Sequence, residues 1–531
     1  MTEGLPSNPP PPAPRFPVTG PYLPPAQAAP AGPYPQPVPM PAAPDRAYPP
    51  PFPPPAGPYG APGYPPPPGF GPPGPYGPPP VPPPARKKSK RWLWISLTAV
   101  VVVLALCGGS LTALKLQLDK RNAAEAAQHP IKPAEIEALL AGHTRALKDR
   151  DLAAFTAPFD QKLVAQQTRL FRNLVKVPFA EARFVKFRQG EFASVGEGWT
   201  VELTLSFVHR FAYDLAPVDE LYTWTVVRAR EGAPLTVTTV GHLPEGWRAS
   251  ELSYYPAPWD KWRNLHVEKT EHTVLMVDAS LRAEAQRYAP AAERAAVADL
   301  AAWRAGGVSA KIPQGFVLSL VKGEKEMASI YQTGAESNGE SGLSMPFQPT
   351  STDKRYEDRP GVGGSRVLVD VTDPYFFRSG DPDLPPALFR HEFAHSMVAN
   401  VTDHDREEFN LDGLQNWVVE GFAEYLGHER RSWMRSDLTD HSRAMLPARQ
   451  DDLALPSNDT WATKGRVSYH YWLGHSAMSF IADRYDNQRV FELVETHYRG
   501  KKIEDAVQQV LGLSHADFEK QWSAYVIAKT R

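Results

Sequence analysis

The chain has 531 residues, 58 of them proline, a single cysteine and a formal net charge of −2. Near-neutral charge gives no ground for a nucleic-acid partner or a strongly acidic substrate, and one cysteine excludes an internal disulfide framework and any multi-cysteine metal site. The length allows two or three domains, but the prolines are not spread evenly.

About two-thirds of them fall in residues 1–85, among Gly, Tyr and Ala with almost no aliphatic periodicity. Such a stretch cannot bury a core and is expected to be an extended, disordered cytoplasmic tail. Its P-x-x-P and Gly-Pro-Tyr-Gly units suit a proline-binding partner, with a plain solvated tail as the alternative. Arg86, Lys87, Lys88, Lys90 and Arg91 follow, then the run 92–114, which holds no charged residue. A bilayer span needs ~20 apolar residues, so 86–115 reads as a basic flank and a transmembrane helix, a buried core helix being the alternative. Trp92 and Trp94 would sit at the interface, and Cys107 would be a small apolar residue within the span. Lys115, Lys120, Arg121 and Asp119 are a weaker positive flank, so the expected topology is a single-pass protein of the cytoplasmic membrane, N-terminus inside and everything after about 115 outside.

Residues 131–248 form the next unit. Ile136, Leu139, Leu140 and Leu147 recur at helical spacing and predict a helix ending near Asp151. Trp199, Val201, Leu203, Leu205 and Phe207 alternate, 222–227 is β-branched and aromatic, and Leu235, Val237 and Thr239 alternate again, which predicts antiparallel strands. A helix followed by such strands resembles the nuclear transport factor 2-like cone, in particular its external versions in bacterial membrane proteins. Such cones often hold a pocket, but no acid–base pair stands out; His143 on the apolar stripe reads as a core histidine.

Residues 250–531 change character. Strands are expected at 273–277, 316–321 and 366–371, with an Ala-rich helix at 281–303 between the first two. A helix over 384–400 carries His391-Glu392-Phe393-Ala394-His395. Histidines four apart share a helix face and can bind one ion, while Glu392, about 100° around, is placed to act on the metal's water. Leu414, Val418, Phe422 and Leu426 predict a second helix, with Asp412 as cap and Gly427 as stop, and Glu420 and Glu424 share its other face. Glu420 is then a ligand candidate and Glu424 a partner that orients a ligating histidine. The loop between holds Asp403, His404 and Asp405, which leaves Asp403 or His404 open as a rival third ligand.

His-Glu-x-x-His followed by Trp417-Val418-Val419-Glu420-Gly421-Phe422-Ala423 resembles the gluzincins, the thermolysin-like and aminopeptidase-like zinc peptidases. The resemblance implies Zn2+ held by His391, His395 and Glu420, with Glu392 as general base. Tyr471-Trp472-Leu473-Gly474 looks like the Y-x-x-G of the aminopeptidase branch, whose tyrosine stabilises the oxyanion; Tyr471 is the candidate, with Tyr469 close by. The 25 positions from His395 to Glu420 exceed the spacing usual in that branch. The exopeptidase motif G-x-M-E-N is absent, the nearest string at 334–338 having its glutamate out of register, so an aminopeptidase specificity is not supported. Helices at about 467–485, 488–498, 502–511 and 515–528 would complete a helical lobe, and an edge strand of the sheet, not identifiable from sequence, would bind the substrate backbone.

The expected fold class is therefore α+β: tail, transmembrane helix, small cone-like domain, then a zincin-type peptidase domain. The expected function is a membrane-anchored zinc metallopeptidase acting on a peptide or protein outside the cytoplasm. A catalytically silent, membrane-tethered scaffold and a zinc hydrolase of a non-peptide substrate are the alternatives.

Overall fold

The computed structural model describes residues 131–243, 254–331, 340–350, 361–401, 413–428, 433–435 and 438–531, all within one compact unit; a second unit, Gln27–Glu125, lies outside the described residues. The architecture is α+β with a helical C-terminal region.

Two long helices, α1 (Pro133–Lys148) and α2 (Val164–Leu174), with the short helical turn Leu152–Thr156 between them, precede an antiparallel sheet in the order β1 (Glu181–Val195), β2 (Gly198–Arg210), β3 (Val218–Arg228) and β4 (Thr236–Gly241). Leu203 pairs with Trp224 and Phe184 with Phe207, so the face turned to the helices is built of large apolar side chains. His143 lies in that core against Phe155 (centroids 3.7 Å), Phe184 and Trp224, and burial lowers its imidazole to about 3, which keeps it neutral.

A mixed five-stranded sheet follows in the order β5 (Leu265–Lys269), β6 (Thr273–Asp278), β7 (Phe316–Val321), β9 (Gly364–Asp370), β8 (Gly342–Phe347). β6, β7 and β9 are parallel, and the long helix α3 (Arg282–Ala305) makes the crossover between β6 and β7. Its strands are covered on both faces. Leu275, Val277, Leu318, Leu320, Val367 and Val369 join the core of α3 and the C-terminal helices, whereas Val274, Met276, Val317, Val321 and Leu368 join that of the N-terminal sheet. Double coverage explains why these strands read as unbroken apolar runs.

The N-terminal sheet also grips the far edge of this second sheet. After β2, Leu215 N and Ala216 N both donate to Gly363 O (2.7 and 3.0 Å), and Thr350 N donates to Pro217 O (2.8 Å). Asp214 meets Arg366 of β9 through two hydrogen bonds of 2.7 and 2.9 Å, with both side chains buried. The contacts hold the chain just after β8, at Thr350, and at the start of β9, at Gly363 and Arg366.

The remaining long helices are α4 (Leu384–Val398), α5 (Asn416–Gly427), α6 (Val467–Arg484), α7 (Asn487–Tyr498), α8 (Ile503–Leu511) and α9 (His515–Thr530), within two residues of expectation at each end.

The expected membrane placement requires correction. No helix among the described residues is long and apolar enough to cross a membrane. The longest, α3, has 24 residues but carries Arg282, Glu284, Arg287, Glu293, Arg294, Asp299 and Arg304 along its length. The run 92–114, the Pro-rich tail and Cys107 lie outside the described residues. The single-pass topology and the cell-membrane localisation are accordingly withdrawn.

Candidate metal centre

Helix α4 is buried nearly all round: Phe393 stacks on Phe316 of β7 (4.2 Å, 5°), and Arg390 Nε donates to Asp299 Oδ1 of α3 at 2.6 Å. These anchors fix the rotation of α4 and with it the direction of His391 and His395. Helix α5 buries Val418, Phe422 and Leu426 in the core and turns Glu420 and Glu424 toward α4. Glycines allow this close approach. A Cβ on Gly421 would lie 2.6 Å from the backbone of Gly474 in α6, and one on Gly427 would lie 3.0 Å from Ala387 O in α4. Gly427 is therefore a close-packing residue at the last position of α5, where the sequence suggested a stop signal; the expected cap, Asp412, lies outside the described residues.

His391 Nε2 and His395 Nε2 are 3.1 Å apart, and Glu420 Oε2 is 3.3 Å from each. Three lone-pair atoms thus converge on one point. Ligand atoms ~2.0–2.1 Å from a common tetrahedral ion stand about 3.3 Å from one another, so the triangle has the size zinc requires. Glu420 Oε2 is buried without a hydrogen-bond donor among the described residues, as an oxygen reserved for a cation would be. Burial works against charge at Glu420, yet His395 and His391 outweigh it and hold the carboxyl down to about 2. At His391 burial is likewise overcome by Glu420 and Glu424, which push the imidazole up to about 10. The pocket attracts positive charge strongly. Another grouping of ligand-type side chains, Glu271, His272 and Glu293, is partly exposed, and its Glu293 is already taken up by His272 and Thr270.

Glu424 Oε1 lies 3.2 Å from His391 Nδ1, at ion-pair distance though out of line for a full hydrogen bond. A carboxylate there favours the tautomer with its proton on Nδ1 and a bare Nε2 facing the triangle.

Glu392 is 1 % exposed and lies against Gly342 of β8. A Cβ at Gly342 would fall 2.4 Å from Glu392 Oε1, so the carboxylate occupies the space where any other residue's side chain would begin. Burial, opposed by His391 and His395, pushes its carboxyl up to about 7. Tyr471, on α6, is fully buried with its ring 6.1 Å from that of His391. Its hydroxyl has no partner among the described residues, and burial together with Glu420 and Glu424 raises its pKa well above the usual range, so it stays a donor. Tyr469 instead stacks on Trp472, 6.1 Å away.

No described strand pairs with the outer side of β8. Because Asp370 N donates to Ser341 O (2.9 Å), alternation along the antiparallel ladder turns Ser341, Leu343 and Met345 toward β9 and leaves the N–H and C=O of Gly342 and Ser344 facing outward. Pro346 offers no N–H, which ends the open stretch. Ser344 Oγ and Ser396 Oγ, 2.8 Å apart, tie this edge to the helix bearing the histidines.

All six residues singled out from sequence (His391, Glu392, His395, Glu420, Glu424 and Tyr471) therefore come together. The rival loop residues Asp403, His404 and Asp405, and the string 334–338, lie outside the described residues. Sequence reading missed β8, the buried Glu340 just before it, and His428, whose spacing of four from Glu424 was legible on a helix. No family model matches the chain, and no curated protein matches it.

Proposed function

We propose that this chain is a zinc-dependent peptidase of the gluzincin type, in which the N-terminal sheet is nuclear transport factor 2-like. One observation carries the reading: the convergent triangle of His391, His395 and Glu420 stands beside a buried carboxylate, Glu392, that touches the open edge of a sheet. Zinc held by that triangle would supply a Lewis acid that lowers the pKa of a water and polarises a carbonyl.

The chain's own groups divide the remaining work. Glu392, whose carboxyl sits near neutrality, accepts the proton of the attacking water and passes it to the leaving amine. Tyr471 keeps its proton and donates toward the carbonyl oxygen as charge gathers on it. The outward backbone groups of Gly342 and Ser344 pair with an extended substrate segment, which favours peptide over a compact small molecule. Glu424 holds the His391 ring from behind.

The test is zinc content and hydrolysis of a broad peptide pool by the full chain, beside Glu392→Gln and Glu420→Ala. The expected result is one zinc per chain, activity abolished with zinc retained in the first variant, and zinc lost in the second. Zinc held by Glu420→Ala would move the third ligand elsewhere. Stoichiometric zinc with no cleavage would replace the peptidase by a binding module or a non-peptide hydrolase.

A further inference from the structure

Glu424 has two oxygens, and a different imidazole stands against each. Oε1 is 3.2 Å from His391 Nδ1, and Oε2 is 3.2 Å from His428 Nε2. The Glu424 and His428 side chains are each 3 % exposed and that of His391 is 1 % exposed, so bulk water does not supply the second partner. His428 follows the last residue of α5, and its backbone N–H donates to Glu424 O at 2.9 Å, which places its ring one helical turn beyond the carboxylate. Its ring lies over that of His475 from α6 (centroids 6.0 Å, 26° between planes), so a second helix sets its orientation.

The terminal torsion of a glutamate is soft and roughly two-fold. A carboxylate touched at one oxygen only can turn about that torsion and slide off its partner; a donor at the other oxygen fixes its plane. A buried carboxylate with a single partner is also costly, and it would turn to share both oxygens with the one donor left. Either motion changes the angle at which Glu424 meets His391 Nδ1, and hence the aim of Nε2.

We propose that His428 is a positioning residue for the metal centre: by donating from Nε2 to Glu424 it locks the carboxylate that orients His391. The inference rests on the metal-binding part of the reading above and adds a residue that touches neither the metal nor the substrate. Groups behind a ligand typically contribute about 10–100-fold in metal affinity.

The experiment uses the full chain with zinc alone as the probe, its affinity read by competition with a chromophoric chelator, in His428→Gln and His428→Leu. Glutamine keeps an N–H donor within reach of Glu424, and leucine keeps the bulk without the donor. Leucine is expected to weaken zinc binding about 10–100-fold and glutamine by no more than about threefold. In zinc-saturated protein, kcat should recover in the glutamine variant alone. A packing role would instead lower the melting temperature of the two variants without separating their zinc affinities. Wild-type affinity in His428→Leu, or equal weakening in both, overturns the proposal. A wild-type chain that takes up no zinc overturns it together with the peptidase reading. A wild-type chain that binds zinc but cleaves nothing overturns the peptidase reading alone, and the two affinities still decide the role of His428.

Discussion

Adding one methyl group at Gly342 tests the link between the sheet edge and the candidate base. The new Cβ would stand 2.4 Å from Glu392 Oε1 and 2.8 Å from its Cδ and Cγ, where ordinary contact begins at about 3.4 Å. Something must give by about 1 Å. The atoms that yield belong to the outer part of a flexible side chain, so Gly342→Ala should fold with little loss of stability while Glu392 swings off its position. A misplacement of about 1 Å at a reacting group can cost about 100-fold in rate, or ~2.7 kcal/mol of barrier. The three atoms nearest the new Cβ all belong to Glu392 and none to His391, His395 or Glu420, so zinc content should remain that of the wild type. The assay is kcat and KM on a single cleaved peptide with zinc measured in the same preparation. Gly142→Ala, at a position with nothing within 4 Å, serves as the control. Wild-type kcat in Gly342→Ala would refute the placement of the base against β8.

Zinc affinity should depend steeply on pH. The metal-free site holds a proton on His391, pushed up to about 10 from an ordinary 6.5, and zinc must displace it. Apparent affinity should therefore fall about tenfold per unit as pH drops through the neutral range, which chelator competition at two pH values will show. Asp214→Ala removes one partner of a buried ion pair and should cost about 3–5 kcal/mol in denaturant unfolding. It should also raise KM, because the contacts around Asp214 hold β9, the strand on which β8 is paired, and the chain just after β8 at Thr350. Tyr471→Phe should lower kcat by roughly 100-fold or more with zinc retained, read in the same peptide assay.

Much of the fold was legible where one physical signal dominated. β6, β7 and β9 are apolar on both faces because both faces are covered, and α5, α7 and α8 keep apolar stripes at helical spacing. β8 was not legible because Gly342-Leu343-Ser344-Met345-Pro346-Phe347 carries the two strongest strand breakers; both are tolerated at an edge, where Gly342 makes room for Glu392 and the nitrogen of Pro346 faces the side on which no described strand pairs. β1 escaped for a related reason. It is also an edge, and its charged residues, from Glu181 to Glu191, are mostly half-exposed, so alternation is weak. α2 hides behind Gln167, which sits buried on the stripe of Leu170, Phe171 and Leu174. The grip of the N-terminal sheet on β9 could not be read at all, since Asp214 and Arg366 are 152 positions apart and each resembles an ordinary surface charge in sequence.

The candidate site shows the same limit in a sharper form. Glu392, Glu420 and Glu424 are one residue type on two helices, and helical spacing alone tells only which way each points. Their proton affinities diverge because of what faces them. Glu420 and Glu424 are each flanked by two imidazoles and are held below the ordinary carboxylate range. At Glu392, packed against Gly342, burial prevails over His391 and His395, with Glu420 and Glu340 adding to it, and the carboxyl rises to about 7. A metal ligand must stay deprotonated at every working pH, whereas a base must be able to gain and lose a proton near neutrality. Environment, and not residue type, separates the two roles, and the methyl group at Gly342 and the donor at His428 are the smallest changes that should disturb one role without the other.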